Sequence, residues 1–418
     1  MKKFKFHYGW VVAACCMLMM CSTALVSTGM GTNLNAMRQH LGFTNTQTSL
    51  VLTIRSITAF FAALLAGYYY RIGLKKGMVL AMAFGAMAFA LFTIAGENIY
   101  IVYAGAVLSG ICYSYGMMMP ISMILKQWFN QSRGTALAIA SAGTGLMSLI
   151  FAPLVQSTIN NHGIKAAFIL QACFMVFVGI LLAVFVVEKP EDKGLEPVGG
   201  KDWVPQAKAS GKASAKASGS AEPRQAVELS FFWIAAVVFA TFLVGTGTSP
   251  ASANFTNNLV TAGLDAMDVA KAISVYGAVI IGSKLVYGVC IDRLGTFKTT
   301  LVFGAIVSVG TFILYIINFF PGNMLMYIGM IVIGIGCPVQ TLGYPNWIVD
   351  LDSEHYNKSL VKCQTGYQLG AVLGSFFPGI IADATGSYAG AFFIFFLCNA
   401  FAIVIVFFAY RANFFRKS

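Results

Sequence analysis

Long apolar runs recur along the whole chain, and they constrain its fold more than any other feature. A helix needs about 20 mostly apolar residues to cross the ~30 Å hydrocarbon core of a bilayer. Twelve segments meet that length: 8–32, 46–69, 77–95, 99–122, 134–157, 165–187, 230–255, 266–289, 298–318, 323–347, 362–382 and 386–411. Charged residues make up only 10% of the 418 residues, against about 25% in a soluble domain. The sequence therefore predicts an all-α membrane protein with twelve transmembrane helices.

A polar, low-complexity stretch divides the twelve segments into two sets of six. Residues 188–229 are rich in Ala, Lys, Ser and Gly, a composition that cannot bury a core and is typical of flexible linkers. We expect an N-terminal six-helix bundle over residues 1–187, a flexible linker over 188–229 and a C-terminal six-helix bundle over 230–418.

Lys and Arg are distributed unequally between alternate loops. Only Arg38, Lys165 and Lys271 fall on the side opposite the termini and the linker. Because cytoplasmic loops are enriched in Lys and Arg, we expect both termini and the linker to be cytoplasmic, in a protein of the plasma (inner) membrane. The basic residues form no single face, so the net charge of +12 does not indicate nucleic-acid binding.

Two short connections carry related patterns at the same place in each half, after the second and the eighth segment. They read Gly67-Tyr-Tyr-Tyr-Arg71-Ile-Gly73-Leu-Lys75-Lys76 and Gly288-Val-Cys-Ile-Asp292-Arg293-Leu-Gly295-Thr-Phe-Lys298. This order indicates two parallel repeats, an arrangement found in many transporters. We expect the loops to act in a conformational change through Gly67, Arg71, Gly288, Asp292, Arg293 and Gly295.

The second connection resembles the loop signature G-x-x-x-D-R-x-G of the major facilitator superfamily, whereas the first is one residue short and lacks the acid. The opening His7-Tyr8-Gly9-Trp10, with Trp128-Phe129 and the glycines of the fifth segment, is similar to the monocarboxylate and oxalate/formate porter branch of that superfamily. The resemblance covers essentially the whole chain. It implies the major facilitator fold, two six-helix bundles that alternate access to a central site.

Two basic residues stand inside apolar segments in which no acidic residue lies deep. Arg55 lies about ten residues into the second segment, and Lys284 about five residues from the cytoplasmic end of the eighth. A Lys or Arg at the bilayer centre costs roughly 2.5–3.5 kcal/mol, and a buried cation without an acidic partner needs water or an anion. Both residues therefore predict a cavity that binds a small organic anion. The alternatives are that Lys284 snorkels to the interface or serves helix packing, and that Arg55 bonds backbone carbonyls of a neighbouring helix or snorkels outward.

The resemblance also bears on Lys284 itself. In the resembled branch a cation stands in this segment with a glycine four residues on, as Lys284 and Gly288 do here. Animal-type monocarboxylate porters place an acid four residues before the cation and a proline after it, where this chain has Ile280 and Leu285. The missing acid argues against their proton-coupled switch. In the oxalate/formate type a second lysine stands in the eleventh segment, where this chain has Tyr367, which favours a larger or singly charged acid over oxalate.

Further polar and aromatic side chains could complete the pocket, although each could equally serve helix packing. They are Asn33, Tyr113, Tyr115, Gln340, Tyr344, Tyr367 and Gln368. We expect a secondary transporter of a mono- or dicarboxylate that acts as an anion exchanger. Proton-coupled symport of a monocarboxylate, and transport of a neutral solute such as a sugar or drug, are the alternatives. We expect no catalytic residue, metal or cofactor, and a monomer in the lipid bilayer.

Overall fold

A computed structural model describes residues 7–65, 70–130, 133–199, 231–352 and 355–415, and all of its long elements are helices. The N-terminal half contains α1 (Gly9–Leu25), α2 (Met30–Leu41), α3 (Asn45–Leu64), α4 (Leu74–Ala95), α5 (Ile99–Gly116), α6 (Met118–Trp128), α7 (Arg133–Ser141), α8 (Gly143–Leu146), a π-helix (Met147–Phe151) and α9 (Ala152–Phe185). The C-terminal half contains α10 (Phe231–Ala253), α11 (Phe255–Thr261), α12 (Ala266–Leu294), α13 (Thr296–Ile316), α14 (Asn323–Gly336), a π-helix (Val339–Gly343), α15 (Tyr344–Leu351), α16 (Tyr356–Thr385) and α17 (Ala389–Phe415).

Ten helical stretches among the described residues are long and apolar enough to cross a membrane. One of them, Ile139–Phe185, is 47 residues long, and it is kinked at Gly163, where φ is 83°. This stretch contains most of both the fifth and the sixth predicted segments. The eleventh predicted segment corresponds to α16, which is not among the ten. The all-helical membrane architecture is confirmed, and the count of twelve crossings stays a prediction.

Buried apolar side chains form two clusters, one in each half. The first cluster contains residues between Val12 and Val186, together with Ala253 of the other half. The second contains residues between Val237 and Ala409, together with Ala152 of the N-terminal half. Each half therefore packs around a core of its own, and the bounds of the two predicted bundles stay a prediction.

Helix breaks occur at corresponding positions in the two halves. The first crossing is interrupted between α1 and α2, at residues 26–29, and its counterpart between α10 and α11, at Asn254. The fourth crossing is interrupted at Met117, where ψ is −157°, whereas its counterpart keeps helical backbone angles at Cys337 and continues into the π-helix Val339–Gly343. The matched break in the first crossing of each half supports the internal repeat. In transporters built from repeats, such interruptions mark the binding site.

The turns after α3 and α12 also match. Gly73 and Gly295 have φ of 108° and 80°. These values favour glycine, because the Cβ atom of any other residue would clash with its own backbone. Of the other residues predicted to act in these loops, Arg71 lies in a short 3-10 helix, Gly288, Asp292 and Arg293 belong to α12, and Gly67 lies outside the described residues. The tight turn predicted from Gly288 onward is therefore made by Gly295 alone.

The first part of the predicted flexible linker, residues 188–198, folds against the N-terminal half. The indole Nε1 of Trp128 donates to the carbonyl of Val187 at 2.8 Å, and the backbone N–H of Val198 donates to the carbonyl of Trp128 at 2.9 Å. These bonds fix a segment whose composition predicts mobility, so the prediction is corrected there. Residues 200–230, which include the Ala/Lys/Ser repeat, lie outside the described residues.

Two further bonds attach this segment to the N-terminal half. The Nε2 of His7 donates to the carbonyl of Glu196 at 2.9 Å, which gives the opening His-Tyr-Gly-Trp sequence a structural role. The carboxylate of Glu188 accepts from the backbone N–H of Lys75 at 2.8 Å. A carboxylate at a helix N-terminus is favourable, and this one comes from the segment after α9, which packs against α4.

The two halves meet at the end of the bundle opposite the linker, here called the far end. The carboxylate of Asp383 accepts from the backbone N–H groups of Asn45 and Thr46, at 2.9 and 2.7 Å. Arg38 donates to the side chain of Asn45 and to the Tyr388 hydroxyl. This far-end network joins α2 and α3 of one half to α16 and α17 of the other, so the far end is closed.

Candidate functional site

Lys284 lies on α12, ten residues before the helix ends at Leu294, and so deeper than the sequence placed it. Its ammonium donates to the carbonyl of Ser141 at 3.2 Å and to the hydroxyl of Thr144 at 3.4 Å. Ser141 ends α7, in the opposite half. The ammonium therefore points across the molecule and not along its own helix toward the membrane surface, as snorkelling would require.

Arg55 lies in the middle of α3 and is 2% exposed. One of its terminal nitrogens donates to the carbonyl of Val26 at 2.8 Å, and its guanidinium lies 5.2 Å from the ring centroid of Tyr113. Val26 is the residue directly after α1, which ends at Leu25. The Nε of Arg55 is buried and has no hydrogen-bond partner among the described residues, so the guanidinium keeps one donor open.

The two cations are therefore held in the same way. Each donates to a backbone carbonyl at the end of a broken helix, Val26 for Arg55 and Ser141 for Lys284. The C-terminal end of a helix carries partial negative charge, which offsets part of the cost of burying a cation. Neither cation forms a salt bridge with a described residue. Both can accept an anion without giving up an acidic partner.

A row of hydroxyl and thiol side chains lies within electrostatic range of the two cations. The Tyr113 ring that lies beside Arg55 is close enough to Tyr367 for the two hydroxyls to interact electrostatically. Tyr367 interacts in the same way with Cys337, and Cys337 with Lys284. The row starts in the N-terminal half and ends in the C-terminal half, so it crosses the space between them.

Other polar groups surround Tyr367. Its ring stacks on Tyr344, with centroids 6.2 Å apart and an interplanar angle of 29°. Its hydroxyl lies 3.5 Å from the hydroxyl of Thr248. Cys337 donates to the Oε1 of Gln340 at 3.7 Å. The row is therefore lined by groups that can donate to a carboxylate or accept from a hydroxyl.

Close helix packing places Tyr367 in this row. Gly366, Gly370 and Gly374 recur every four residues on α16, and a side chain at any of them would collide with the backbone of α10. Small residues at this spacing let membrane helices approach closely. These glycines let α16 pack against α10. Tyr367 directly follows Gly366, so this packing places its hydroxyl beside that of Thr248 on α10.

The structure brings together six of the nine residues predicted to bind substrate: Arg55, Lys284, Tyr113, Gln340, Tyr344 and Tyr367. Two others hold helices together. Asn33 and Gln171 exchange two amide hydrogen bonds of 2.9 Å, and the Tyr115 hydroxyl donates to the Ala62 carbonyl at 2.8 Å. Gln368 is half-buried, and its role stays a prediction.

The sequence analysis did not single out three polar residues of the site: Thr248, Tyr276 and Cys337. The Tyr276 hydroxyl lies 3.6 Å from the Cys337 sulfur, so it belongs to the same group. The sequence Gly336-Cys337-Pro338 inside an apolar segment is the one signal that marked this place. A proline disturbs a helix, and here the π-helix Val339–Gly343 begins directly after it.

A family model described as Major Facilitator Superfamily matches residues 15–361. The chain belongs to the major facilitator superfamily. The suspected membership is thus confirmed across most of the chain. Among curated relatives, the oxalate:formate antiporter of Oxalobacter formigenes is 28% identical over 190 residues. That match covers 44% of this chain and 44% of the antiporter, so the chain matches less than half of that relative's length.

Solved structures of major facilitator proteins have the same overall fold. The D-xylose-proton symporter gives a TM-score of 0.71 at 12% identity, with 95% of this chain and 96% of that chain covered. The xylose transporter XylE of E. coli, in a partially occluded inward-open conformation, gives 0.72 at 12% identity, with 95% and 98% covered. The nucleoside transporter NupG gives 0.70 at 11% identity, with 97% and 99% covered. At such identities the likeness shows the fold alone.

Proposed function

We propose that this major facilitator protein is a secondary transporter of a small organic anion, a mono- or dicarboxylate, which it exchanges across the plasma membrane by alternating access. One observation carries the proposal. Arg55 and Lys284 lie in opposite halves, lie within electrostatic range of the same row of polar side chains, and have no acidic partner among the described residues. A carboxylate in that row gives each cation the counter-charge that it lacks.

Charge favours an anion over a neutral solute here. Charge-assisted hydrogen bonds are roughly twice as strong as neutral ones, and the open Nε of Arg55 would gain such a bond. A neutral sugar would leave both cations without a counter-charge in a low-dielectric environment. The partial similarity to an oxalate:formate antiporter supports the same class of substrate. The sugar and nucleoside transporters share only the fold.

Access to the site is proposed to alternate between the far end and the linker end. The far-end network closes one side. If the termini and the linker are cytoplasmic, as the Lys and Arg distribution predicts, the closed far end is the side away from the cytoplasm. Exchange is the simplest form of coupling, because no Asp or Glu takes part in the described row, and none of the four His residues lies in the middle of a predicted segment.

Uptake by proteoliposomes tests the proposal. The purified protein is reconstituted with and without an internal carboxylate, and labelled mono- and dicarboxylates, a sugar and a nucleoside are offered outside, each with and without a pH gradient. We expect carboxylate uptake that internal carboxylate stimulates and that the pH gradient does not drive. Uptake of the sugar or nucleoside in place of every carboxylate would overturn the proposal. Uptake driven by the pH gradient alone would establish proton symport.

A further inference from the structure

The bond between Lys284 and the end of α7 joins the two halves near the middle of the molecule. We propose that it is a tether that restrains the empty carrier, and that Thr144 is a positioning residue that favours exchange over net flux. This inference rests on the proposed function, since it names how the anion site controls the movement of the halves.

The tether lies beside a close approach of the two halves. A side chain on Gly145 would lie 2.7 Å from the carbonyl of Gly277, and one on Gly277 would lie 2.6 Å from the carbonyl of Gly145. Gly145 directly follows Thr144, and Gly277 lies two helical turns before Lys284 on α12. Any movement of α12 against the α7–α8 segment therefore changes the distance from Lys284 to Thr144.

The partners of the tether are neutral and replaceable. Ser141 offers a backbone carbonyl and Thr144 a hydroxyl, at 3.2 and 3.4 Å from the ammonium. A carboxylate offers a full negative charge, with which an ammonium forms a shorter and stronger bond. An anion bound in the row competes for the ammonium of Lys284 and draws it away from α7, so the loaded carrier loses its tether.

This competition gives the empty and the loaded carrier different freedom to reorient. The empty carrier must break the bonds from Lys284 to Ser141 and Thr144 before α12 can move against α7, whereas the loaded carrier has already exchanged them for bonds to the substrate. A ligand changes a conformational equilibrium only through such a difference between states. Slow return of the empty carrier is what makes a carrier an exchanger.

Removing the Thr144 hydroxyl should loosen the empty carrier. Thr144→Val keeps the shape of the side chain and removes the acceptor, while the Ser141 carbonyl remains. The bond is long, so we expect net efflux into acid-free buffer to rise about five-fold, with a smaller change in exchange. Thr144→Ser keeps the hydroxyl and should behave like the wild type.

The test measures efflux of a labelled carboxylate from proteoliposomes into buffer with and without the same unlabelled carboxylate. A melting curve of each purified variant, empty and saturated with the carboxylate, provides a second readout. We expect Thr144→Val to lower the melting temperature of the empty protein only, because the anion replaces the tether; a structural role would lower both. Should Thr144→Val not fold, Thr144→Ala is compared with Thr144→Ser in the same way.

The outcomes separate the two claims. A wild type that exchanges carboxylates, with net efflux and empty-state melting temperature the same in Thr144→Val, overturns the tether and leaves the proposed function standing. A wild type that neither transports nor is stabilised by any carboxylate overturns the proposed function, and the tether as a control of exchange with it.

Discussion

The surroundings of Arg55 and of Lys284 differ in one respect that matters for transport. Arg55 is 2% exposed, and among the described residues it bonds or stacks directly only with its own half, through Val26, Ser56 and Tyr113. Lys284 is half-buried and contacts the opposite half, through Ser141 and Thr144. An anion that binds Arg55 therefore replaces no direct bond between the halves, whereas one that binds Lys284 does. We infer that Arg55 sets affinity and that Lys284 sets affinity and movement together.

Replacing Lys284 should have the largest effect. Lys284→Met removes both the cation that binds the anion and the inter-half bond. Truncating one partner of a buried charge pair costs about 2–5 kcal/mol, so we expect exchange to fall at least about 30-fold. Lys271→Met is the matched control, because Lys271 lies on the same helix and pairs with Asp268 at 2.8 Å at the surface. Equal loss in the two variants would contradict a specific role for Lys284.

Replacing Arg55 should have a smaller effect and a different one. Arg55→Lys keeps the charge but loses the forked geometry and the contact with the Tyr113 ring, so we expect an affinity about ten-fold weaker. The ratio of net efflux to exchange should stay as in the wild type, because Arg55 spans no contact between the halves. Kinetic measurements in proteoliposomes give both quantities, and a changed ratio would remove the distinction between the two cations.

The far-end network offers a contact between the halves that no substrate touches. Asp383 lies just beyond the eleventh apolar segment. Partial burial raises its pKa, but hydrogen bonds from Thr46 and Asn45 outweigh burial, and the net pKa is lowered from the usual value. The carboxylate therefore stabilises far-end closure above about pH 4, and this contribution is lost as the pH falls through the lowered pKa.

Asp383→Asn removes that charge at neutral pH and should have the smallest effect. Because the backbone N–H groups of Asn45 and Thr46 donate to the carboxylate, we expect their hydrogen exchange to accelerate about five-fold. Mass spectrometry of the peptide that contains them measures the change, and added carboxylate should not reverse it. Unchanged protection in the variant would mean that other contacts alone keep the far end closed.

The architecture was accessible from the sequence because apolar length and loop charge act locally. The segments that contain Arg55 and Lys284, and the absence of deep acids, needed no tertiary information. The matched turns at Gly73 and Gly295 were predictable, because both glycines stand in two similar loops. Their positive φ angles agree with that prediction.

The contacts of the site were not accessible, because they depend on how the halves pack. No sequence pattern in α12 predicts that Lys284 faces the end of α7. This orientation depends on the close approach of Gly145 and Gly277, which lie in different halves. The amide of Asn33 could bind a substrate or join two helices, and the sequence does not distinguish these roles. The position of Gln171, with which Asn33 exchanges hydrogen bonds, shows that it joins helices. The fixed start of the linker depends on an indole donor at Trp128, far away in sequence.

Binding of a carboxylate and of its uncharged amide to the purified protein tests the central claim most directly. Calorimetric titration compares the two ligands on the wild type, on Arg55→Met and on Lys284→Met. The account predicts that the wild type prefers the carboxylate by at least about 30-fold and that each variant loses most of that preference. A wild type that binds both ligands equally, or variants that keep the full preference, would contradict an anion held between Arg55 and Lys284.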